Sequence, residues 1–154
     1  MPSLCDQTLE KIIREWATIH DPSRFKIVAE PEMKGCPASF HVYPTNPKSA
    51  TIILWVGDGG ASVSFALGGG LWWDGAIPLE AAAVQELLET VAAGHVEMQV
   101  RKVFGRIVAR RGKVGALGTK RHEYGSLTPS AIFPGLKWET VSYPPYFSDT
   151  RSNG

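Results

Sequence analysis

The stretch Thr51 to Leu67, TIILWVGDGGASVSFAL, decides the fold. Thr51 to Val56 is an unbroken apolar run rich in β-branched residues, which predicts a central strand covered on both faces. Gly57-Asp58-Gly59-Gly60 follows, and glycine enters the backbone conformations of a tight turn at little steric cost. From Ala61 to Leu67 the pattern alternates, with Val63, Phe65 and Leu67 on one face and Ser62, Ser64 and Ala66 on the other. Two strand patterns joined by a glycine-containing loop predict an antiparallel hairpin.

Upstream, Ser39 to Tyr43 also alternates, placing Phe40 and Val42 on one face and His41 and Tyr43 on the other. Phe25 to Ala29 is a shorter strand closed by Glu30-Pro31, and Pro44, Asn46 and Pro47 mark a turn. Before these strands, Leu9, Ile12, Ile13, Trp16 and Ile19 follow the spacing of one helical face. Ser3 and Asp6 form a weak variant of the capping box, and Asp21-Pro22 ends the helix.

Downstream, Pro78 suits a first helical turn, Leu79 to Ala93 is the helix, and Gly94 stands where a left-handed residue closes it. Val84, Leu87, Leu88 and Val91 are its apolar stripe. His95 to Arg110 returns to strand character, with Gly105 as a bulge or bend. Gly112 to Tyr124 is glycine-rich and basic, which predicts a mobile loop or hairpin tip. Trp138 to Tyr143 supplies a last strand, Tyr143-Pro144-Pro145-Tyr146-Phe147 packs the C-terminus against the sheet, and the tail from Ser148 frays. The expectation is a single α+β domain over residues 1–154: a mostly antiparallel sheet of six to seven strands with two helices on one face.

With 154 residues, 44% of them hydrophobic, the chain can bury one real core. A formal net charge of +1 excludes the disordered class and removes any global argument for a nucleic-acid or membrane binder. No leader pattern is visible at the N-terminus, and the longest apolar run falls far short of the roughly 20 residues a membrane helix needs. The expected location is the cytoplasm. Cys5 and Cys36 could form one disulfide, but two thiols in a reducing compartment is the plainer reading.

Charge is segregated along the chain. Between Ser49 and Val100 stand Asp58, Asp74, Glu80, Glu86, Glu89 and Glu97, with no Lys or Arg. Between Arg101 and His122 stand Arg101, Lys102, Arg106, Arg110, Arg111, Lys113, Lys120 and Arg121, with no acid. Either the two blocks screen one another, or one of them steers a charged partner. The acidic block includes Gly68-Gly69-Gly70-Leu71-Trp72-Trp73-Asp74-Gly75. Adjacent tryptophans in a strand point to opposite faces, so one anchors the core while the other is free to meet a partner.

Catalytic spacing is poor. His20, His41, His95 and His122 are scattered, with no metal-ligand pattern, no nucleophile elbow and no true phosphate loop, so neither catalytic residues, metal nor cofactor are expected. Glu30 and Glu32 flank Pro31 and could pair as acid and base, although surface turns commonly carry such residues.

The run from the glycine hairpin through Leu71-Trp72-Trp73-Asp74-Gly75, then Ile77-Pro78-Leu79-Glu80-Ala81, then a helix ending at Ala93-Gly94, resembles small α+β immunity proteins of bacterial polymorphic-toxin systems in layout. The resemblance covers roughly residues 50–100 and implies a non-enzymatic protein that neutralises a toxin by binding it. On that reading Asp58, Trp72, Trp73, Asp74, Glu80 and Glu86 meet a basic toxin domain. The first alternative is a ligand-binding domain or enzyme with a pocket near the Trp72–Asp74 loop. The third is a nucleic-acid module using Arg101, Lys102, Arg106, Arg110 and Arg111 within the basic segment 101–121.

Overall fold

The computed structural model describes residues 3–68, 73–115, 117–118, 122–123 and 137–147, with residues 58, 68, 73–74, 106–113, 117–118 and 122–123 described through the backbone alone. Helix α1 spans Leu4–Thr18, and its start is the capping box: Ser3 Oγ accepts from the Asp6 backbone while the Asp6 carboxylate accepts from the Ser3 backbone. Leu9, Ile12, Ile13 and Trp16 are its buried face. Ile19, expected in that stripe, lies beyond the last turn and is exposed. Asp21 then caps a 3-10 turn at Pro22–Arg24. The Ser23 backbone N–H and hydroxyl both donate to its carboxylate and hold it below its ordinary ionisation range.

Five strands follow in a meander: β1 Phe25–Glu30, β2 Ser39–Pro44, β3 Thr51–Val56, β4 Ser62–Gly68 and β5 Trp73–Pro78. Each pairs antiparallel with the next in the spatial order β1-β2-β3-β4-β5. Helix α2, Ala81–Ala92, leads to β6 Val96–Val103 and β7 Arg106–Val114. With β8 Leu117–Gly118, β9 His122–Glu123 and β10 Glu139–Ser142, these build a second antiparallel sheet in the order β10-β6-β7-β8, β9 also pairing with β7. The α+β class, the antiparallel pairing and the two helices are as read from the sequence. The strands, however, divide between two sheets rather than lining up in one. Local pattern predicts a strand but not which edge it joins, and α2 carries the chain away from the β5 edge.

The two sheets and both helices share one core, in which Trp16, Phe40, Ile52, Leu54, Phe65, Leu88 and Met98 are buried. The C-terminal segment closes it. Tyr143 and Tyr146 are buried, the Tyr146 backbone N–H donates to the Ala92 carbonyl at 2.7 Å, and the Tyr146 hydroxyl donates to the Ala50 carbonyl. Ser49, itself buried, donates to the Pro144 carbonyl at 2.7 Å.

Four local expectations are corrected. Pro78 closes β5 instead of opening the helix, whose N-cap is Glu80: the ladder partner of Pro78, Ser62, holds it in the sheet. Gly105 is neither bulge nor bend. Phe104 and Gly105 have φ of 51° and 79° and form the two-residue turn joining β6 to β7, while the irregularity in that ladder lies at Arg101/Lys102. Gly112 to Val114 continue β7 instead of entering a loop, because Met98, Glu97 and Val96 pair with them, and the chain then folds back as the hairpin alternative had it, Lys113 and Val114 pairing with Gly118 and Leu117; positions 116, 119–121 and 124 fall outside the described residues, as does the tail from 148. Finally, among the described residues the core packs on one face of β3. Ile52 and Leu54 are fully buried, whereas Thr51, Ile53 and Trp55 are half-buried among neighbouring strands.

Candidate functional site

A groove of about 630 Å³ lies between the N-terminal half of α1 and the segment joining β1 to β2. Ala29, Pro31, Met33, Ala38 and Phe40 give it an apolar floor, and Asp6, Glu10, Glu30 and Glu32 supply four carboxylates against the single cation Lys34. A second concavity of about 410 Å³ shares Asp6, Glu32 and Ala38 with it and continues to Gly57, Gly59 and Gly60, the turn that carries Asp58. The walls are built by local rules. Asp6 and Glu10 are four apart on α1 and so share a face, and Pro31 prevents β1 from continuing. A short turn closed by the Met33–Cys36 bridge then leads back to β2, with Met33 left 66% exposed.

Two of the acids are already engaged. Asp6 belongs to the helix cap, and Glu10 pairs with Arg14 at 3.2 Å. Glu30 and Glu32 have no ion pair among the described residues. They are the two acids flanking Pro31 in the sequence, and they line one groove as carboxylates open to a cation.

The acidic residues chosen from the sequence do not all come together. Trp72 lies outside the described residues. Trp73 stands opposite Leu67 in the β5–β4 ladder, in the row that includes buried Ile52 and Val42, whereas Asp74 stands opposite Ala66 in the row of Ile53 and His41. The period-2 rule therefore separates the pair onto opposite faces. Asp58 precedes β4 and the Trp72–Asp74 segment follows it, so the length of that strand separates them. Glu80 is close to the Asp58 turn instead, since the Leu79 N–H donates to the Ala61 carbonyl at 3.1 Å. Glu86 is exposed on α2. Asp58 and Glu80 thus belong to the end of the molecule that holds the groove, and Asp74 to the middle row of the sheet.

The alternation of β2 places His41 and Tyr43 on one face, and the structure adds Ser39 to them and bonds the three together. Ser39 Oγ and His41 Nε2 are hydrogen-bonded at 3.0 Å, and Tyr43 Oη and His41 Nδ1 at 2.9 Å. The i, i+2, i+4 spacing of a strand was the available signal. The spacing of Ser39 and His41 is that of a nucleophile and a base, but here the row lies on a sheet face rather than in the groove. Within the basic segment, Arg101 lies 4.3 Å from the centroid of Trp138, Lys102 pairs with Glu139 at 3.4 Å, and Phe104 is 94% exposed at the hairpin tip. By register Arg111 stands opposite Gln99, Arg110 opposite Val100 and Arg106 opposite Val103.

Among the described residues no group of His, Cys, Asp and Glu is arranged to hold a metal ion, Cys5 and Cys36 are free thiols, and no helix is long and apolar enough to cross a membrane. Comparison with protein-family models, with curated proteins and with solved structures returned no match.

Proposed function

We propose that this chain works by binding a basic protein partner, in the manner of an immunity protein that neutralises a toxin by contact, and not by turning over a substrate. The observation that carries this reading is the groove along α1, with an apolar floor and carboxylates on its walls. Such a floor takes up a desolvated anchor side chain, and the carboxylates pair with Lys or Arg around it. Glu80 and the Asp58 turn extend negative charge at the same end, which raises the encounter rate with a positive domain. A toxin domain that acts on nucleic acid needs a basic cleft, and an acidic surface competes for it directly.

The partner to test is the product of the neighbouring gene, prepared in an inactive form and titrated by calorimetry at low and high salt. Affinity should fall with salt, and Glu30→Gln combined with Glu32→Gln should weaken binding about tenfold or more while leaving the thermal melt unchanged. Binding that ignores salt and both substitutions, yet is lost on charge reversal at Arg101 or Lys102, refutes the proposal. That outcome would favour the basic sheet face, where the Arg101–Trp138 pair and exposed Phe104 offer the stacking and cationic surface that single-stranded nucleic acid uses.

A further inference from the structure

The face of the five-stranded sheet turned away from the helices has the composition of an interface. Its rows follow from the ladder: Lys26, Tyr43 and Thr51 in one, Val28, His41, Ile53, Ala66 and Asp74 in the next, Glu30, Ser39, Trp55, Ser64 and Ala76 in the third. None of these residues belongs to the shared core. A water-facing sheet surface ordinarily carries charge along its strands. Here the three central strands present no Asp, Glu, Lys or Arg on this face, and the charges are confined to the two edge strands: Lys26 and Glu30 on β1, and Asp74 on β5. An uncharged centre holding Trp55, Ile53 and Tyr43, rimmed by charge, is the anatomy of a protein–protein contact. The His41 ring at the centre is matched already, because it bonds to both Ser39 and Tyr43 along the strand. Burying that row therefore leaves no orphaned ring nitrogen.

We infer that this face is where two copies of the chain dimerise, sheet on sheet. The charge pattern selects a second copy. A twofold axis lying in the interface and running across the strands sets β1 antiparallel over the partner's β1, which brings Lys26 over Glu30 of the partner subunit and the reverse. Ile53 and His41 then meet their own counterparts at the centre. Two twisted sheets packed this way cross at about 30°. Five strands of about six residues cover about 450 Å² of flat area per copy at the usual strand spacing. The two copies together thus approach the roughly 1,000 Å² of a specific contact before side-chain relief is counted. Asp74 is the one residue whose register position meets its own charge, and it does so at the rim. The face meets the acidic groove only at Glu30, so Tyr43→Arg tests the dimer apart from the partner-binding reading, and Glu32→Gln alone tests that reading apart from the dimer.

Sedimentation equilibrium over a micromolar concentration series tests this. The wild-type chain should run at twice the monomer mass. Ile53→Arg and Tyr43→Arg should each weaken dimerisation at least about a hundredfold; Tyr43 is 40% exposed, so its substitution leaves the fold intact even if that of Ile53 does not. Lys26→Glu should weaken it about tenfold, and adding Glu30→Lys, which swaps the pair, should restore it. A wild-type monomer throughout the series, or a Tyr43→Arg chain that remains dimeric, overturns the inference. A Lys26→Glu loss that the swap does not restore overturns the antiparallel alignment.

Discussion

Glu89 is the residue on which three parts of the chain converge, and replacing it is the sharpest test of how they are held. Its Oε1 accepts from Trp16 Nε1 at 2.9 Å on α1 and is 2.5 Å from His20 Nε2, while the His20 ring stacks on Phe147 of the C-terminal segment with centroids 4.6 Å apart. Trp16 is only 1% exposed and the Glu89 side chain 49%, so Glu89→Ala takes away the acceptor of the indole N–H and opens that group only in part to water. An orphaned buried donor costs about 1–3 kcal/mol. The alanine returns a few tenths of a kcal/mol through helix propensity, and His20 regains water at small cost. The expected loss is about 1–2 kcal/mol, or roughly 3–7 °C in Tm for a chain of this size. Glu89→Gln keeps a neutral acceptor in the same place and should lose less than about half as much. Urea denaturation followed by circular dichroism reads both variants. If Ala costs under about 0.5 kcal/mol, or if Gln costs as much as Ala, the acceptor is not what joins α1 to α2.

Other expectations follow from burial and backbone geometry. Leu87→Ala and Leu88→Ala, at 2% and 1% exposure, should each lower stability by about 2–5 kcal/mol, seen as a shifted denaturant midpoint. An unchanged midpoint in both would mean that α2 does not pack as described. Gly94 and Gly105 both have φ near +80°, but a Cβ on Gly94 would stand 2.8 Å from the Tyr143 carbonyl oxygen and the Pro145 nitrogen, whereas nothing lies within 4 Å of one on Gly105. Gly105→Ala should therefore cost about 1 kcal/mol and Gly94→Ala clearly more; equal losses would contradict the close approach of the C-terminal segment to α2. Burial pushes the Tyr146 phenol well above its ordinary pKa of 10.0. The folded state then favours the neutral form, so its stabilisation is complete below pH 10 and declines above it as the unfolded chain ionises. Tyr146→Phe should reduce that alkaline decline and cost about 1 kcal/mol at neutral pH through the lost bond to Ala50. A wild-type alkaline profile in the variant would refute the assignment.

The elements that the sequence alone determined are those whose signal is local. The capping box at Ser3 and Asp6, the stripes Leu9–Trp16 and Val84–Val91, the left-handed Gly94 and the alternation of Ser39–Tyr43 and Ser62–Leu67 each follow from a rule acting within a few residues. The positions of His41 and Tyr43 on one face were legible in the same way. Only the tertiary structure decided the rest. That Pro78 ends a strand depends on Ser62 across the ladder, and that β6 begins a second sheet depends on where α2 leaves the chain. Asp6 and Glu10 share a groove with Glu30 and Glu32 because α1 lies beside the β1–β2 connection, about twenty residues away along the chain. Asp58 and Asp74, close in sequence and alike in charge, are parted by the rise of a strand. Local periodicity tells a side chain which face of its own element it takes, but the partner of that face is set by the burial of the whole core, which no stretch of sequence contains by itself.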